Sequence, residues 1–521
     1  MIAGAGDEAG TRPARQPFAH GVASGDPTTT RVMIWTRVTT DDEQPVLVAW
    51  WVEDDAGSRV AYGAVEAVAE SDWTVRVDVD GLRPASRYRY GFEGLGASSP
   101  VGRTRTLGAH PVDRLRIAQI SCAKYNAGHF NALARLAERD DLDFVLHLGD
   151  YIYEASQTPP ASQTASMDIG RPFDPRHECI TLDDYRRRYA QYRADPDVQA
   201  FHAAHPMIAT VDDHEFADGA WRDGATEHKP DRDGPWAARR AAAFRARWEW
   251  LPARMPDPGD PERVFHAVHV GGLADLFVLD IRTRRDKPVP PPGMNRADRT
   301  VLGVEQREWL LAGLAASRAR WRLLGNPSVM ARTWNDDLSA PVRNALLKVK
   351  LIDADLSGPD WDQWDGYPAE RSAILSFVQR PAIQNVVVLS GDVHVGMAIE
   401  LSDELGADEP VAVEFVNTSL TSQNLDDKMG WAPLTESVPV AEAFVAGMPH
   451  LRWCDFDSHG YSIVDVTAER VVCEWWAVDA ILERHAGQRR VAAWAVRSGS
   501  TRLEEVDGVE SLSSAGGVAV S

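Results

Sequence analysis

The stretch Asp143-Phe-Val-Leu-His-Leu-Gly-Asp-Tyr-Ile-Tyr-Glu154 decides how the rest of the chain is interpreted. Its apolar run, Phe144 to Leu148, predicts a buried strand that ends at Gly149. The carboxylate of Asp150 follows at once, and ligands of an open α/β sheet bind just beyond the carboxyl ends of its strands. Because Asp150 could equally cap a following helix, the stretch alone leaves a chemical and a structural interpretation open.

The composition is that of a globular protein with more than one domain. The chain has 521 residues, of which 44% are hydrophobic and 25% charged, so two or three domains are expected. No apolar run approaches the ~18 residues of a membrane span. A net charge of −22 and a pI near 5.1 argue against a stable nucleic-acid partner, which would need a basic face.

Cysteine usage and the first residues say little about the compartment. Four cysteines are too few for a disulfide scaffold, and no pair has the C-x-x-C spacing of a zinc ribbon or a thioredoxin-like site. Residues 1–16 are predicted to form a disordered lead without an apolar signal core. The sequence as written therefore predicts no export, although a signal that was removed and replaced by Met1 would give the same pattern.

Residues 17–108 are predicted to form a β-sandwich of immunoglobulin or fibronectin type III architecture. Short strand-like runs such as Arg31–Val38, Val46–Val52 and Thr74–Val79 are separated by turn signals. The last of them alternates with period two, as a half-buried strand does. The sequence shows no catalytic cluster in this region, so the domain is expected to serve in packing or presentation.

A different pattern follows and predicts an α/β or layered α+β domain over residues 113–480. The strand Leu115–Ile120, a run of apolar residues at helical spacing and the strand at residues 144–148 form a strand–helix–strand unit. Such a unit implies a parallel pair of strands, which brings Cys122 and Asp150 close together. Residues 481–521 are assigned to a C-terminal extension.

Further elements of this domain have clear local signals. Helices are predicted at Thr181–Arg193, with Thr181 as the N-cap, at Trp236–Trp250 and at Val304–Arg320. A hairpin is predicted across Gly271-Gly272.

Five predicted strands each end in residues that can bind a metal. A two-metal site needs a bridging carboxylate and separate ligands for each ion, and its ions lie ~3.5–4 Å apart. One such strand end is ordinary, whereas five are hard to explain by helix capping. The candidates are Cys122, Asp150 with Tyr153, Asp213 with His214, Asn326, and Asp392 with His394.

The ligand types divide into two sets that share Asp150. A thiolate, a phenolate and an imidazole suit a trivalent or borderline transition metal, whereas carboxylate and amide oxygens suit a hard divalent ion. The first ion is assigned Cys122, Asp150, Tyr153 and His394. The second is assigned Asp150, Asp213, Asn326 and Asp392. His214 would protonate the leaving oxygen or stabilise charge at the phosphorus centre.

Each candidate taken singly also has a structural interpretation. Cys122 could be a small buried hydrophobe, Tyr153 a packed aromatic, and Asn326 a turn residue, since Pro327 follows it. The adjacent pair at residues 213–214 could be hydrogen-bonded in a loop. Their occurrence together at successive strand ends favours the metal site.

The same residues carry a resemblance to a known family. The Gly-Asp at 149–150, the Asp-Asp-His-Glu at 212–215 and the Gly-Asp-Val-His at 391–394 resemble, in order, the motifs of calcineurin-like metallophosphoesterases. More closely, the chain resembles the alkaline phosphatase D (PhoD-like) family over residues 18 to about 480. The further matching pieces are Phe18-Ala-His-Gly-Val-Ala-Ser-Gly-Asp-Pro27, Ile34-Trp-Thr-Arg37, Ser121-Cys122, His147-Leu-Gly-Asp-Tyr-Ile-Tyr-Glu154 and Trp364-Asp-Gly-Tyr-Pro-Ala-Glu-Arg371.

The resemblance implies a fold, a pair of ions and an activity. It implies a β-sandwich followed by a four-layer α/β/β/α phosphoesterase domain, and a site for Fe³⁺ and Ca²⁺, with Mn²⁺ or Zn²⁺ as alternatives. In that site Cys122 stands where the wider superfamily has aspartate, and Asp392 where many members have histidine. Phosphodiesters and phosphomonoesters would be cleaved by in-line attack of a metal-bound hydroxide, in an extracellular or periplasmic enzyme that scavenges phosphate.

Departures from the family pattern and other functions stay open. Ala123 stands where the family often has glutamine, and the loop at residues 216–219 fits the pattern loosely. Arg222 and Arg371 either contact substrate phosphate or make structural ion pairs. A phospholipase-D-like enzyme or a nucleotide phosphodiesterase with the same site, an inactive surface-binding module and a structural protein are the alternatives. The expected substrates are small-molecule, lipid or nucleotide phosphate esters, and a monomer is expected.

Overall fold

The computed structural model describes residues 16–41, 43–157, 169–352, 358–403 and 409–508. The predicted disordered lead lies outside these residues apart from Gln16, and so does the chain beyond Gly508. Within the described ranges, no helix is both long enough and apolar enough to cross a membrane.

The regular elements are numbered in chain order. The strands that precede residue 110 are β1 (Val22–Gly25), β2 (Val32–Arg37), β3 (Val46–Asp54), β4 (Arg59–Ala67), β5 (Thr74–Val79), β6 (Arg87–Gly94), β7 (Ala97–Ser98) and β8 (Gly102–Arg105). The later strands are β9 (Arg114–Ile120), β10 (Phe144–His147), β11 (Pro206–Ala209), β12 (Ala220–Trp221), β13 (Gly224–Ala225), β14 (His266–Val270), β15 (Ala274–Val278), β16 (Trp321–Gly325), β17 (Val386–Ser390), β18 (Gly396–Leu401), β19 (Ala412–Val416), β20 (Leu451–Asp455), β21 (Gly460–Thr467), β22 (Arg470–Val478), β23 (Gln488–Arg497) and β24 (Leu503–Glu505). The helices are α1 (Asn131–Ala137), α2 (Leu182–Ala194), α3 (Pro196–Ala204), α4 (Pro230–Asp233), α5 (Trp236–Trp250), α6 (Gly303–Ala316), α7 (Ala340–Lys348), α8 (Pro368–Val378), α9 (Leu425–Met429) and α10 (Ser437–Gly447).

Ten strands form the first sheet, in the order β24-β23-β22-β21-β9-β10-β11-β1-β2-β5. At its centre β9, β10 and β11 are parallel neighbours, as the strand–helix–strand pattern predicted. Parallel strands end at the same edge of a sheet. The polar residues that follow these three strands therefore lie side by side.

A second sheet of seven strands packs face to face against the first, in the order β14-β15-β16-β17-β19-β18-β20. Apolar residues of both sheets share one core, for example Leu146 with Leu276 and Phe415. Helices α1, α2, α3 and α5 cover the outer face of the first sheet, and α6, α7, α8 and α10 cover that of the second. The predicted four-layer α/β/β/α arrangement is confirmed.

The predicted N-terminal sandwich is also present, but it shares a sheet with the rest of the molecule. Strands β3, β4, β6, β7 and β8 form one layer. The facing layer is β1, β2 and β5, which continue the ten-stranded sheet because β1 pairs in parallel with β11, Ser24 opposite Pro206. A core that includes Ile34, Val48 and Phe92 fills the space between the two layers.

The chain after residue 480 adds to the opposite end of the same sheet. Strand β23 pairs with β22, and β24 pairs with β23. The predicted C-terminal extension thus contributes two antiparallel strands to the catalytic sheet. The domain boundaries at residues 17, 108, 113 and 480 stay predictions.

Candidate metal centre

The carboxyl ends of the two sheets' parallel strands meet at one point, where four of the predicted ligands have an unusual backbone. The φ angles are +60° at Cys122, +57° at Asp150, +71° at Asp392 and +59° at His394. A left-handed backbone is unfavourable for residues with a Cβ and occurs mainly at functional sites. Here it turns the chain sharply after β9, β10 and β17, so that the side chains converge.

Two glycines allow these turns to approach each other. Gly149 has a φ of +103°, and a Cβ there would lie 2.5 Å from the Cβ of Asp212. A Cβ on Gly391 would lie 2.8 Å from the Oγ of Ser121. Both distances are below van der Waals contact, so the loops after β10 and β11, and those after β9 and β17, can touch only through glycine.

The residues predicted for the first ion lie together. The candidate ligand atoms of Cys122, Asp150 and His394 are all within 4.8 Å of one another. The Tyr153 hydroxyl donates to Asp150 Oδ2 at 2.8 Å and accepts from Ser422 Oγ at 2.6 Å. The Tyr153 phenol oxygen is therefore hydrogen-bonded to the carboxylate of Asp150, which belongs to the same set of candidate ligands.

His394 is oriented for metal binding. Its Nδ1 is 3.0 Å from the Gln423 carbonyl oxygen, an arrangement that places the proton on Nδ1 and leaves the lone pair of Nε2 available to an ion. Burial, followed by the nearby ammonium group of Lys428, lowers the pKa of His394 well below its ordinary value. The ring is therefore neutral, which is the form that binds metals.

The residues predicted for the second ion come together only in part. Asp213 and Asp392 form one group with Asp212, and Asp213 forms another with Asp150 and His214, each within 4.8 Å. Asn326 is fully buried, and its Oδ1 accepts a hydrogen bond from Trp364 Nε1 at 3.0 Å. Its role as a ligand stays a prediction.

Sequence reasoning missed Asp212 and the arginine that binds it. The guanidinium of Arg282 is fully buried, and it is hydrogen-bonded to Asp212, to Asp362 and, at 3.1 Å, to Asp392 Oδ2. Arg282 comes four residues after the end of β15. The rule that found the other candidates selects residues that can bind a metal, so it passes over an arginine at this position.

A third missed residue, Glu154, holds the candidate acid His214. Its Oε2 is 2.7 Å from His214 Nδ1. Burial disfavours the charged imidazolium, but the surrounding carboxylates, first of all that of Glu154, outweigh it and raise the pKa of His214 well above its ordinary value. His214 also stacks on Tyr153, with ring centroids 4.1 Å apart.

The carboxylate of Glu215 joins the loops that carry the candidates. It accepts backbone N–H groups of Asp150 at 3.0 Å, Tyr151 at 2.5 Å and Asp212 at 2.7 Å. Burial raises the pKa of Glu215 to about 7 although these donors favour the charged form. Within the predicted motif at residues 212–215, Glu215 therefore connects the loops, whereas Asp213 and His214 are the candidates for metal binding and proton transfer.

The donor set fits bound cations. Burial, with repulsion from neighbouring carboxylates, raises the pKa of Asp150 and of Asp212 well above the ordinary range. The buried oxygens Asp212 Oδ2 and Asp213 Oδ1 have no hydrogen-bond partner among the described residues. Buried, unpaired carboxylate oxygens are destabilising unless a cation compensates them.

The candidates open into a cleft of about 610 Å³. Its lining includes Asp150, His214 and His394 together with Leu347 and Trp361. The structure therefore places the predicted acid beside the candidate ligands, in a space that can receive a substrate.

The two arginines that the sequence left open make ion pairs instead. Arg371 binds Asp365 inside the fold. Arg222 pairs with Asp286 at 3.1 Å on the surface. The structural interpretation applies to both.

Comparisons with known proteins agree with this fold and site. The family model for PhoD-like phosphatase matches residues 117–475, and that for the PhoD-like phosphatase N-terminal domain matches residues 4–108. Alkaline phosphatase D of Bacillus subtilis (strain 168) is 34% identical over 514 residues, covering 94% of this chain and 82% of that protein. The solved structure of PhoD matches with a TM-score of 0.82 at 31% identity, covering 96% of this chain and 94% of the other.

The layered fold, the clustered ligands and these matches define a hydrolase that acts on phosphate esters. Within that class, the chain belongs to the PhoD-like phosphatase family. The family expected from the motifs and the class of reaction are both confirmed.

Proposed function

We propose that the protein hydrolyses phosphodiesters and phosphomonoesters at a dinuclear metal site centred on Asp150. The observation that carries the proposal is that Asp150 belongs to two groups of candidate ligands. One group adds the thiol of Cys122 and the imidazole of His394, and the other adds the carboxylate of Asp213 and the imidazole of His214. A carboxylate shared in this way has the position of a bridge between two ions.

The two sets of donors favour Fe³⁺ and Ca²⁺. Sulfur, phenolate and imidazole donors from Cys122, Tyr153 and His394 suit iron, and the oxygen donors of Asp213 and Asp392 suit calcium. Mn²⁺ and Zn²⁺ can bind the same atom types. When bound, the ions would supply an activated water and neutralise negative charge on the ester.

Asp212 and Asn326 would be further donors to the second ion. Asp212 contributes its unpaired Oδ2. The amide oxygen of Asn326 has two lone pairs, so it would accept the Trp364 N–H with one and bind the ion with the other.

The chain itself positions the proton and the charges for an in-line displacement. Glu154 binds His214 at Nδ1, so that Nε2 carries the proton for the leaving oxygen. Arg282 compensates Asp212 and Asp392 and holds both carboxylates in place. Each group is buried or half-buried, and its electrostatic effect is therefore larger than it would be in water.

The cleft supports esters that carry an organic group. Beside the charged residues, its wall contains Leu347, Val349, Ile352 and Trp361. Its volume of about 610 Å³ exceeds what a lone phosphate needs, so a diester with one or two organic substituents is compatible with it.

Hydrolysis of two chromogenic esters tests the proposed function. The metal-loaded protein should release p-nitrophenol from both bis-p-nitrophenyl phosphate and p-nitrophenyl phosphate. Removal of the ions with a chelator should abolish both reactions, and adding iron and calcium should restore them. Full activity after complete removal of the ions would contradict the proposal.

An extracellular or periplasmic location and a monomeric state belong to the same proposal. The location follows from the family resemblance. Fractionation of the producing cells measures the first, and light scattering of the purified protein measures the second.

A further inference from the structure

Three lysines from three different elements lie around the candidate metal centre. Lys124 follows β9, Lys350 follows α7 and Lys428 belongs to α9. Lys350 and Lys428 line the same cleft as the candidate ligands. The Lys124 ammonium group is 5.8 Å from the centre of the Tyr153 ring. Positive charges thus surround a cluster that is otherwise acidic.

The partners of the two cleft lysines leave hydrogen-bond donors of both ammonium groups unused. Lys428 Nζ donates to the backbone carbonyl of Lys348 at 2.9 Å, and this lysine forms no ion pair with any carboxylate in the part of the chain that the structure describes. Lys350 is 3.4 Å from Asp218 Oδ1, and its side chain is 65% exposed. Each ammonium group has further donors for an anion in the cleft.

The lysines also repel one another. Burial, followed by repulsion from the ammonium groups of Lys350 and Lys124, lowers the pKa of Lys428 to about 7. Lys350 has a left-handed backbone, with a φ of +58°, which is unfavourable for a residue with a long side chain. The fold therefore holds like charges together at the cleft. An anion bound between them would reduce their repulsion.

We propose that Lys350 and Lys428 bind the non-bridging oxygens of the substrate phosphate and determine that phosphomonoesters are accepted as well as diesters. This inference rests on the proposed function of the cleft. At neutral pH a phosphomonoester carries nearly two negative charges, whereas a diester carries one, and an anion bound beside Lys428 favours the protonated form of this lysine. The additional charge is what the two lysines recognise, since charge-assisted hydrogen bonds to phosphate oxygens are stronger than neutral ones.

The test compares the two ester types in lysine variants. In Lys350→Gln, Lys428→Gln and the double variant, kcat/KM for p-nitrophenyl phosphate should fall about 10-fold more than kcat/KM for bis-p-nitrophenyl phosphate. Inorganic phosphate, a product with the same charge, should inhibit the variants less strongly by a similar factor. Lys350→Arg and Lys428→Arg should keep most of the monoester activity.

A matched control is available at Lys348, the last residue of α7. The Lys348 side chain is exposed and is not among the residues that line the cleft. Lys348→Gln removes one positive charge from the end of α7 and keeps the backbone carbonyl that binds Lys428. It should alter the ratio of the two activities by less than about 2-fold.

Two outcomes overturn the inference, and they can be told apart from failure of the proposed function. Equal losses on both esters, or an unchanged monoester activity, would overturn the assignment of the lysines. Calorimetric titration with inorganic phosphate gives an independent measure of binding. If the wild type hydrolyses neither ester but binds phosphate, and the double variant does not bind it, then the proposed function fails, whereas phosphate binding by the two lysines holds.

Discussion

Asp150 is the residue on which the candidate centre depends most. Its carboxylate accepts the Tyr153 hydroxyl at 2.8 Å and the His214 backbone N–H at 3.3 Å. Its own N–H donates to Glu215 at 3.0 Å. The side chain is therefore fixed by groups from two loops, which is what a bridging ligand requires.

Substitution of the bridge should differ from substitution of a terminal ligand. Asp150→Asn should lose both ions and lower kcat/KM at least about 1,000-fold, because the shared negative charge is removed from both sets of donors. Asp213→Asn should release calcium while iron is retained. Metal analysis of the two purified variants makes the comparison. Full retention of both ions in Asp150→Asn would exclude the bridging role.

The Glu154–His214 pair gives a prediction about pH. Glu154→Gln removes the negative charge that raises the pKa of His214, so the alkaline limb of the kcat profile should move to lower pH. With an alkyl phosphate ester, whose leaving group needs a proton, kcat should fall about 10-fold or more. With a p-nitrophenyl ester the loss should be smaller. Equal losses on both esters would show that His214 does not act as the acid.

Individual site residues were predictable where they directly follow a strand. Cys122, Asp150 and Asp392 are within three residues of the end of a buried strand, so their neighbourhood follows from the sheet alone. Lys350 and Lys428 come from helices far apart in the chain. Their approach to the cleft depends on tertiary packing, which no local pattern records.

At the scale of elements, the turns after the strands have to be unusually tight. Gly149 combines a left-handed φ of +103° with contact to Asp212. The sequence showed this glycine as the end of a strand. Gly149 also lets the loop after β11 approach closely, and this close approach is visible only in the folded structure.

Replacing Gly149 should therefore destabilise the fold. Gly149→Ala adds both backbone strain and a steric clash and should lower the free energy of unfolding by about 2–4 kcal/mol. Gly81, with a φ of +77° and no atom within 4 Å of an added Cβ, is the control. Gly81→Ala should cost about 1–2 kcal/mol, as measured by denaturant unfolding. Equal effects would contradict the role of the contact with Asp212.

Strand β19 carries a buried carboxyl group that makes stability depend on pH. Burial raises the pKa of Glu414 from 4.5 to about 7, although two backbone N–H groups and the Ser390 hydroxyl donate to it. The folded state therefore holds the proton more tightly than the unfolded state. The free energy of unfolding should decrease as pH rises from about 4.5 to about 7, by about 3 kcal/mol.

Glu414→Gln is the variant that isolates this contribution. Denaturant unfolding at pH 5 and pH 8 should show a smaller difference between the two pH values in the variant than in the wild type. The same pH difference in both proteins would contradict the assignment to Glu414.

Local elements were predicted well where local interactions decide them. Helix α5, Trp236–Trp250, has the predicted bounds, and Thr181 caps α2 through a capping box. Helix α6 was expected to reach Arg320 and ends at Ala316. Its end is set by a tertiary contact, because the Ser317 hydroxyl donates to Asp275 at 2.5 Å.

At the scale of the whole molecule, the continuity of the first sheet was not predicted. Strands β1 and β11 are about 180 residues apart in the chain, and each has an ordinary strand pattern. Their pairing covers an edge of the catalytic sheet that would otherwise expose unpaired backbone groups. Trp35 Nε1 also donates to the Glu249 carbonyl at 2.8 Å, so the sandwich is joined to the catalytic layers by side chains as well.

The whole fold brings two chemically different donor sets to one place. The first sheet supplies Cys122 and Asp150, and the second supplies Asp392 and His394. The acid-rich cluster requires cations for compensation. The central claim is that one iron and one calcium ion meet there, with Asp150 between them.

Metal content and the visible spectrum of the purified protein test this claim most directly. We expect one iron and one calcium per chain, and a visible charge-transfer band because thiolate and phenolate would bind Fe³⁺. In Cys122→Ser and in Tyr153→Phe the band should fade or shift. A colourless, iron-free protein with full phosphoesterase activity would rule out iron at this site.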